Sequence, residues 1–316
     1  MTITSEALHA ASCWEADDQI ASRPAMTEFR RSARYHQAIW RESHHLPIGT
    51  QPIAPKHGDA RVRWVGSRLP VDYALRTGGN FVAPAALAAV TARLARVEPH
   101  QSIDRQRLWA DLLSSQALAF NLFGDLAADF DLADTAVHSW FPDTPGHVCD
   151  VLFAHSPGRL NPAYINSLRD FTCAFVLQLD DGTRGILSID VKYHERTKAE
   201  TPRPENLTRY IEVAQRSGKF TEGAIDVLAA RGDLCVMWLE HVLQFSMLQH
   251  PSRAWSWCRY AVLYPRGNFD IADVTRRYRS MLIDDTTFAT ITLEQVLDSD
   301  ALPASTSTAL RDRYLF

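Results

Sequence analysis

The chain has 316 residues, enough for one large domain or two ordinary ones. Hydrophobic residues make up 46% and charged residues 22%, which excludes a largely disordered chain and supplies a sizeable core. A net charge of −4 and a pI near 6.3 exclude a surface that is basic throughout, so any grip on nucleic-acid phosphates must be local.

Residues 1–25 read as a frayed leader with helical tendency. A short helix is expected over Thr27–Glu42, after which Pro47, Pro52 and Pro55 enforce loop. Residues 82–98 read as a helix and 103–123 as a stronger one, with Asp104 as N-cap and Gly124 as its stop. The pattern then turns to strands. HVCDVLFAH alternates only partly, whereas DFTCAFVLQL and TRGILSIDVKYHE flank an Asp-Asp-Gly turn and predict a β-hairpin. Beyond Pro202 and Pro204, helices are expected over 205–217, 222–231 and 233–249. WCRYAVLYP reads as a buried strand, and helices over 270–283 and 292–298 follow. Helices, strands, helices, strand and helices in that order suit a mixed α/β layer architecture.

The five cysteines form no CxxC pair, so neither structural zinc nor a disulfide framework is expected. No basic segment leads into an apolar run at the start, and no apolar stretch reaches membrane-spanning length. The expectation is a cytoplasmic protein without a membrane partner. Walker A, GxGxxG and GxSxG patterns are absent, which argues against nucleotide hydrolysis, nicotinamide chemistry and hydrolase-fold ester cleavage.

The hairpin carries the chemistry. Side chains alternate with period two, so Ser188, Asp190 and Lys192 share one face, and Asp170, Thr172 and Ala174 share one on the preceding strand. Pairing of the strands brings Asp170 or Thr172 near Asp190 and Lys192. Carboxylates placed this way can hold Mg²⁺ through oxygen. A neighbouring lysine can orient an attacking water or offset developing charge. The plain reading of an Asp-x-Lys triplet is a solvated strand edge with a surface ion pair. Arg159, in SPGRLNP, suits either a phosphate contact or a carboxylate partner. Gln116 either points towards the metal site or ties its helix to a strand backbone. Tyr193 and Cys173 fall on core-facing positions, and GDLCVMWLEHVLQFSML reads as a core helix.

SIDVKYHE resembles the (I/L)E-V-K-Y-x-E signature of a PD-(D/E)XK nuclease-like family found mostly in bacterial proteins. IWRESHHLPIG, GGNFVAPAAL, LLSSQALAFNLFGDL, FAHSPGRLNPAYI, RYIEVAQRSGKF and AVLYPRGNFD match the family in the same order, and the resemblance runs from about residue 28 to 300. It implies a restriction-endonuclease-like α/β fold, a central mixed sheet flanked by helices. Asp190 and Lys192 match the third superfamily motif, with Asp in place of the commoner Glu, and Glu195 matches the glutamate that closes the signature. Gln116 and Asn121 match a helix that often contributes a Glu. Thr172 falls where the second-motif Asp is expected, so either Asp170 substitutes or the metal site is degraded. Ala154 and His155 stand where a Glu and a polar residue are expected.

These readings lead to a nuclease dependent on Mg²⁺ or Mn²⁺ that cleaves phosphodiester bonds of nucleic acid, DNA being the favoured substrate. Asp170 and Asp190 would bind metal, Lys192 would position water, and Glu195, Gln116, Asn121, Arg159 and Thr172 would support the site. The alternative is a nuclease-fold module that has lost catalysis and binds nucleic acid or protein. The expected organisation is an N-terminal extension over 1–60, a nuclease-like domain over 61–300 and a tail over 301–316.

Overall fold

Apolar runs interrupted by Pro, Gly and Asp fold into a layered α/β molecule. The computed structural model describes residues 3–13, 24–53, 61–96 and 98–316. The chain begins with α1 (Ser5–Ala10), α2 (Pro24–Ser43) and the strands β1 (Gly49–Ile53) and β2 (Arg61–Val65). Five helices follow: α3 (Val71–Thr77), α4 (Pro84–Ala95), α5 (Arg105–Ala110), α6 (Ser115–Ala128) and α7 (Phe130–Trp140). Then come β3 (His147–His155), β4 (Phe171–Gln178), β5 (Arg184–Val191), α8 (Pro204–Ser217), α9 (Ala224–Ala229) and α10 (Cys235–Leu248). β6 (Trp255–Tyr264), α11 (Phe269–Arg279), β7 (Phe288–Thr292), α12 (Leu293–Asp298) and α13 (Ala304–Tyr314) complete it. Residues 1–2 and 14–23 of the expected leader and Pro55 of the expected loop lie outside the described residues.

The central sheet has five strands in the order β3-β4-β5-β6-β7. β3, β4 and β5 form an antiparallel meander, while β6 and β7 run parallel to β5. Gly182, at φ +81°, makes the turn between β4 and β5, a backbone conformation that a side chain would strain. β5 occupies the middle and is buried on both faces, with Ile186, Leu187, Ser188, Ile189 and Val191 all at or below 1% exposure. Parallel neighbours covered by helices on both sides require this near-continuous apolar run. On one face α4, α6, α7, α12 and α13 enclose a core through Phe123, Phe175, Leu187, Ile189 and Leu310. On the other, α8 to α11 pack over Ile186, Trp238, Tyr260 and Val262. No helix among the described residues is long and apolar enough to cross a membrane.

The structure departs from the sequence reading in places that bear on the site. The helix expected over 103–123 is two helices, because Asp111–Ser114 interrupts it and Ser114 accepts a hydrogen bond from the Ala117 amide as N-cap of α6. Gly124 does not stop α6. It lies within the helix where α4 crosses, and a Cβ there would sit 2.5 Å from the Ala86 Cα. The residues expected as a tail form α13, whose Leu310, Arg313 and Tyr314 are buried. Arg313 donates to the Asn80 carbonyl at 2.7 Å and lies over the Trp40 ring of α2.

Candidate active site

The site grows from the end of β5. Cys173 of β4 pairs with Ile189, and continuing that register sets Thr172 opposite Asp190. The Thr172 hydroxyl donates to Asp190 Oδ1 at 3.0 Å. Lys192 Nζ lies 2.8 Å from Asp190 Oδ2. Asp190 is 4% exposed, while the Lys192 side chain keeps about a fifth of its surface open. Burial pulls the lysine pKa down, but the Asp190 carboxylate beside it, with Glu240 and Glu195 near, holds it above the ordinary lysine value. Lys192 is therefore a fixed cation, a donor rather than a proton acceptor.

The turn after β5 is held from several sides. The Lys192 amide bonds the Leu263 carbonyl of β6 at 2.8 Å. Asn268, the N-cap of α11, donates to the carbonyls of Tyr193 at 2.9 Å and Glu195 at 3.1 Å. Tyr193 is fully buried, as its alternation predicts, and its hydroxyl receives the Gln37 amide. Glu195 Oε2 accepts from the Tyr193 amide at 2.7 Å. Burial pushes the Glu195 carboxyl up, but His194, the Ser115 side chain and Lys192 together outweigh it and hold it below the usual glutamate range.

Asp170 precedes β4 and faces a different set of partners. Its Oδ2 accepts from the Ser102 hydroxyl at 2.5 Å and pairs with Arg159 at 2.8 Å. Arg159 also pairs with Glu98 and donates to the Ala154 carbonyl at 2.9 Å. Only 6% of its side chain is exposed and both terminal nitrogens are engaged, so Arg159 takes the carboxylate role, with its Nε buried and without a partner. Gln116, on α6, ties its helix to the loop that precedes α5 and not to a strand backbone. Its amide donates to the Ser102 carbonyl at 3.3 Å, while Oε1 is buried without a partner. Gln116, Asp170 and Thr172 line one small cavity of about 50 Å³. Asn121 lies elsewhere: it joins the Val82 amide, the Asn80 carbonyl and the Tyr314 hydroxyl, and so locks α6 to α13 instead of supporting the site.

Sequence reasoning missed Glu240 of α10. The Tyr260 hydroxyl donates to Glu240 Oε2 at 2.9 Å and lies 3.4 Å from Asp190 Oδ2. Burial, then the Asp190 carboxylate, push the Glu240 pKa up to about 8, with Lys192 opposing them. Glu240, Asp170, Arg169 and Glu200 share the wall of a polar cavity of about 350 Å³. The signal for Glu240 lay in the sequence: an ionisable residue inside an apolar helix needs a partner.

The fold carries an Asp-x-Lys triplet at the end of a central strand, and the sequence profile of the PD-(D/E)XK nuclease superfamily matches residues 24–316. The chain belongs to the PD-(D/E)XK nuclease superfamily. No curated protein and no solved structure matches it. PD-(D/E)XK nucleases generally use divalent metal ions. No group of three or more His, Cys, Asp or Glu side chains that could hold a metal occurs among the described residues. The donors that are present are nevertheless all oxygen, the kind a hard cation takes. Mg²⁺ is commonly held by one or two carboxylates and completed by substrate phosphates. The orphaned Gln116 Oε1 beside Asp170 and Thr172 is a further unspent oxygen. These residues fit an open cation site and not a closed cage.

Proposed function

We propose that this protein hydrolyses phosphodiester bonds of nucleic acid with Mg²⁺ or Mn²⁺ at a site centred on Asp190 and Lys192. The observation that carries the reading is the 2.8 Å contact between Lys192 Nζ and Asp190 Oδ2 at the end of β5, with Thr172 bonded to the other carboxylate oxygen. Asp190 and Asp170 would hold the cation, with the Gln116 oxygen beside them. A bound divalent cation lowers the pKa of water and offsets charge on the phosphodiester in the transition state. Lys192, a permanent cation, orients the attacking water and stabilises the same charge. Thr172 fixes the Asp190 carboxylate, and Glu195 closes the turn that holds Lys192 in place.

The test is cleavage of plasmid, single-stranded DNA and single-stranded RNA with Mg²⁺, Mn²⁺ or chelator, comparing wild type with Asp190→Ala and Lys192→Ala. Each substitution is expected to lower the metal-dependent rate by about 100-fold or more, the usual loss when a preorganised charge-stabilising group is removed. Equal background activity in all three proteins sinks the catalytic reading.

A second reading, a nuclease fold that has lost catalysis and binds nucleic acid, has one observation in its favour. Thr172 stands at the second-motif Asp position, and the Oδ2 of the nearby Asp170 is already engaged by Arg159 and Ser102. Salt-dependent binding by wild type without cleavage under any metal selects it.

A further inference from the structure

Most arginines bordering the site are committed. Arg159 is divided between Glu98, Asp170 and the Ala154 carbonyl, and Arg169 pairs with Glu200. Arg93 bonds the Phe153 and Ala154 carbonyls and the Gln101 side chain. Arg107 and Arg68 differ. Arg107 Nη2 lies 3.8 Å from Glu195 Oε1, and its Nε lies 3.8 Å from Asp111 Oδ2. Arg68 Nη2 lies 3.7 Å from the same Asp111 oxygen. A closed charge-assisted bond spans ~2.7–2.9 Å. Neither guanidinium makes a side-chain hydrogen bond among the described residues. Two carboxylates thus hold two guanidiniums in place without consuming their donors.

The position of the pair matters. Glu195 is three residues beyond Lys192 and acts on its charge. Arg107 stands on the segment that begins with Ser102, the residue bonded to Asp170. Its side chain is 43% exposed and that of Arg68 18%. Neither belongs to the wall of the polar cavity that contains Glu240. A planar guanidinium matches the two non-bridging oxygens of a phosphodiester, and two forks meeting on one aspartate can grip one phosphate from two sides.

The geometry points to Arg107 and Arg68 as a clamp for a backbone phosphate of the nucleic-acid strand, next to the scissile bond and outside the Glu240 cavity. The assignment rests on the nuclease reading for the identity of the strand. It is tested by binding, so it can fail independently of cleavage.

The full chain carrying Asp190→Asn, to prevent cutting, is titrated with a fluorescein-labelled DNA oligonucleotide between about 50 and 200 mM salt, the range over which phosphate contacts are read. Arg107→Ala, Arg68→Ala and Arg107→Lys are compared on that background, each checked for an unchanged thermal midpoint. Each alanine variant is expected to weaken binding about tenfold and to reduce the slope of log affinity against log salt by about 1. Arg107→Lys is expected to lose affinity but keep the slope, because charge remains while the fork is lost. Unchanged affinity and slope in the folded variants overturn the clamp, as does absence of oligonucleotide binding. Saturable binding of inorganic phosphate that these variants remove, with oligonucleotide affinity untouched, also overturns it in favour of a free-anion site. Intact clamp behaviour without cleavage by the wild type overturns the nuclease reading alone.

Discussion

Asp190 is nearly inaccessible yet ion-paired, and its surroundings show how a buried charge is sustained. Thr172, Lys192 and, at longer range, Tyr260 surround its oxygens, so the desolvation cost is offset by directed donors. Burial first, and then the Asp190 carboxylate in the same cluster, push the Glu240 pKa up to about 8. The next residue, His241, offers a clean measurement. It is fully buried on Phe245, and burial lowers its pKa from the ordinary 6.5 to about 3. A depressed folded pKa means the unfolded chain takes up a proton that the folded protein refuses. The contribution is fully present above pH 6.5 and is lost as pH falls towards 3, at up to about 1.4 kcal/mol per pH unit. Urea unfolding of wild type and His241→Gln from pH 8 to pH 4 is expected to show a shallower acid decline in the variant. Identical declines would refute the assignment. At this scale the sequence was legible where alternation alone decides, as at Asp190, Lys192 and Tyr193. It was illegible where a side chain's partner comes from a distant element: Glu98 and Asp170 for Arg159, and Tyr260 for Glu240, whose need of a partner alone was readable.

Among the elements, α6 matters most because it carries Gln116 to the site and crosses α4 at Gly124. The crossing allows no Cβ: one would meet the Ala86 Cα at 2.5 Å and the Ala86 nitrogen at 2.6 Å, backbone atoms that cannot rotate away. Gly124→Ala is expected to destabilise the protein by about 1–3 kcal/mol through overpacking, despite the better helix propensity of alanine. The check is a lower urea midpoint at unchanged slope; a neutral or stabilising result would mean that α4 can move aside. Sequence reading placed α8, α10, β6 and α12 within a few residues because proline, glycine and apolar run length bound them. It fused α5 with α6 because Leu112 and Leu113 continue the apolar spacing across the break, while the Asp111 and Ser114 side chains that end one helix and start the next look like ordinary helix residues. It read Gly124 as a terminator because a glycine's role as a packing contact depends on a helix some forty positions earlier.

For the molecule as a whole, the fold class followed from element order and from a resemblance extending over most of the chain, and the match over residues 24–316 bears it out. The site was legible only along one hairpin. The two cavities beside it are lined by Ser102 and Gln116 in one and by Ser102 and Glu240 in the other, neighbours that no local pattern announces. The parallel pairing of β5 with β6 sets Asp190 beside Val262, across a connection built from α8, α9 and α10. Such long-separation contacts form slowly, because loop-closure entropy is paid before they are rewarded. The β4–β5 hairpin is local and forms early by comparison. Refolding from urea should therefore recover far-ultraviolet circular dichroism before it recovers the cleavage or oligonucleotide binding proposed above, with the latter following the slowest kinetic phase. Simultaneous recovery would mean that the crossover docks first. A half-folded chain would then own its aspartate and lysine yet lack the neighbouring strand that steadies them.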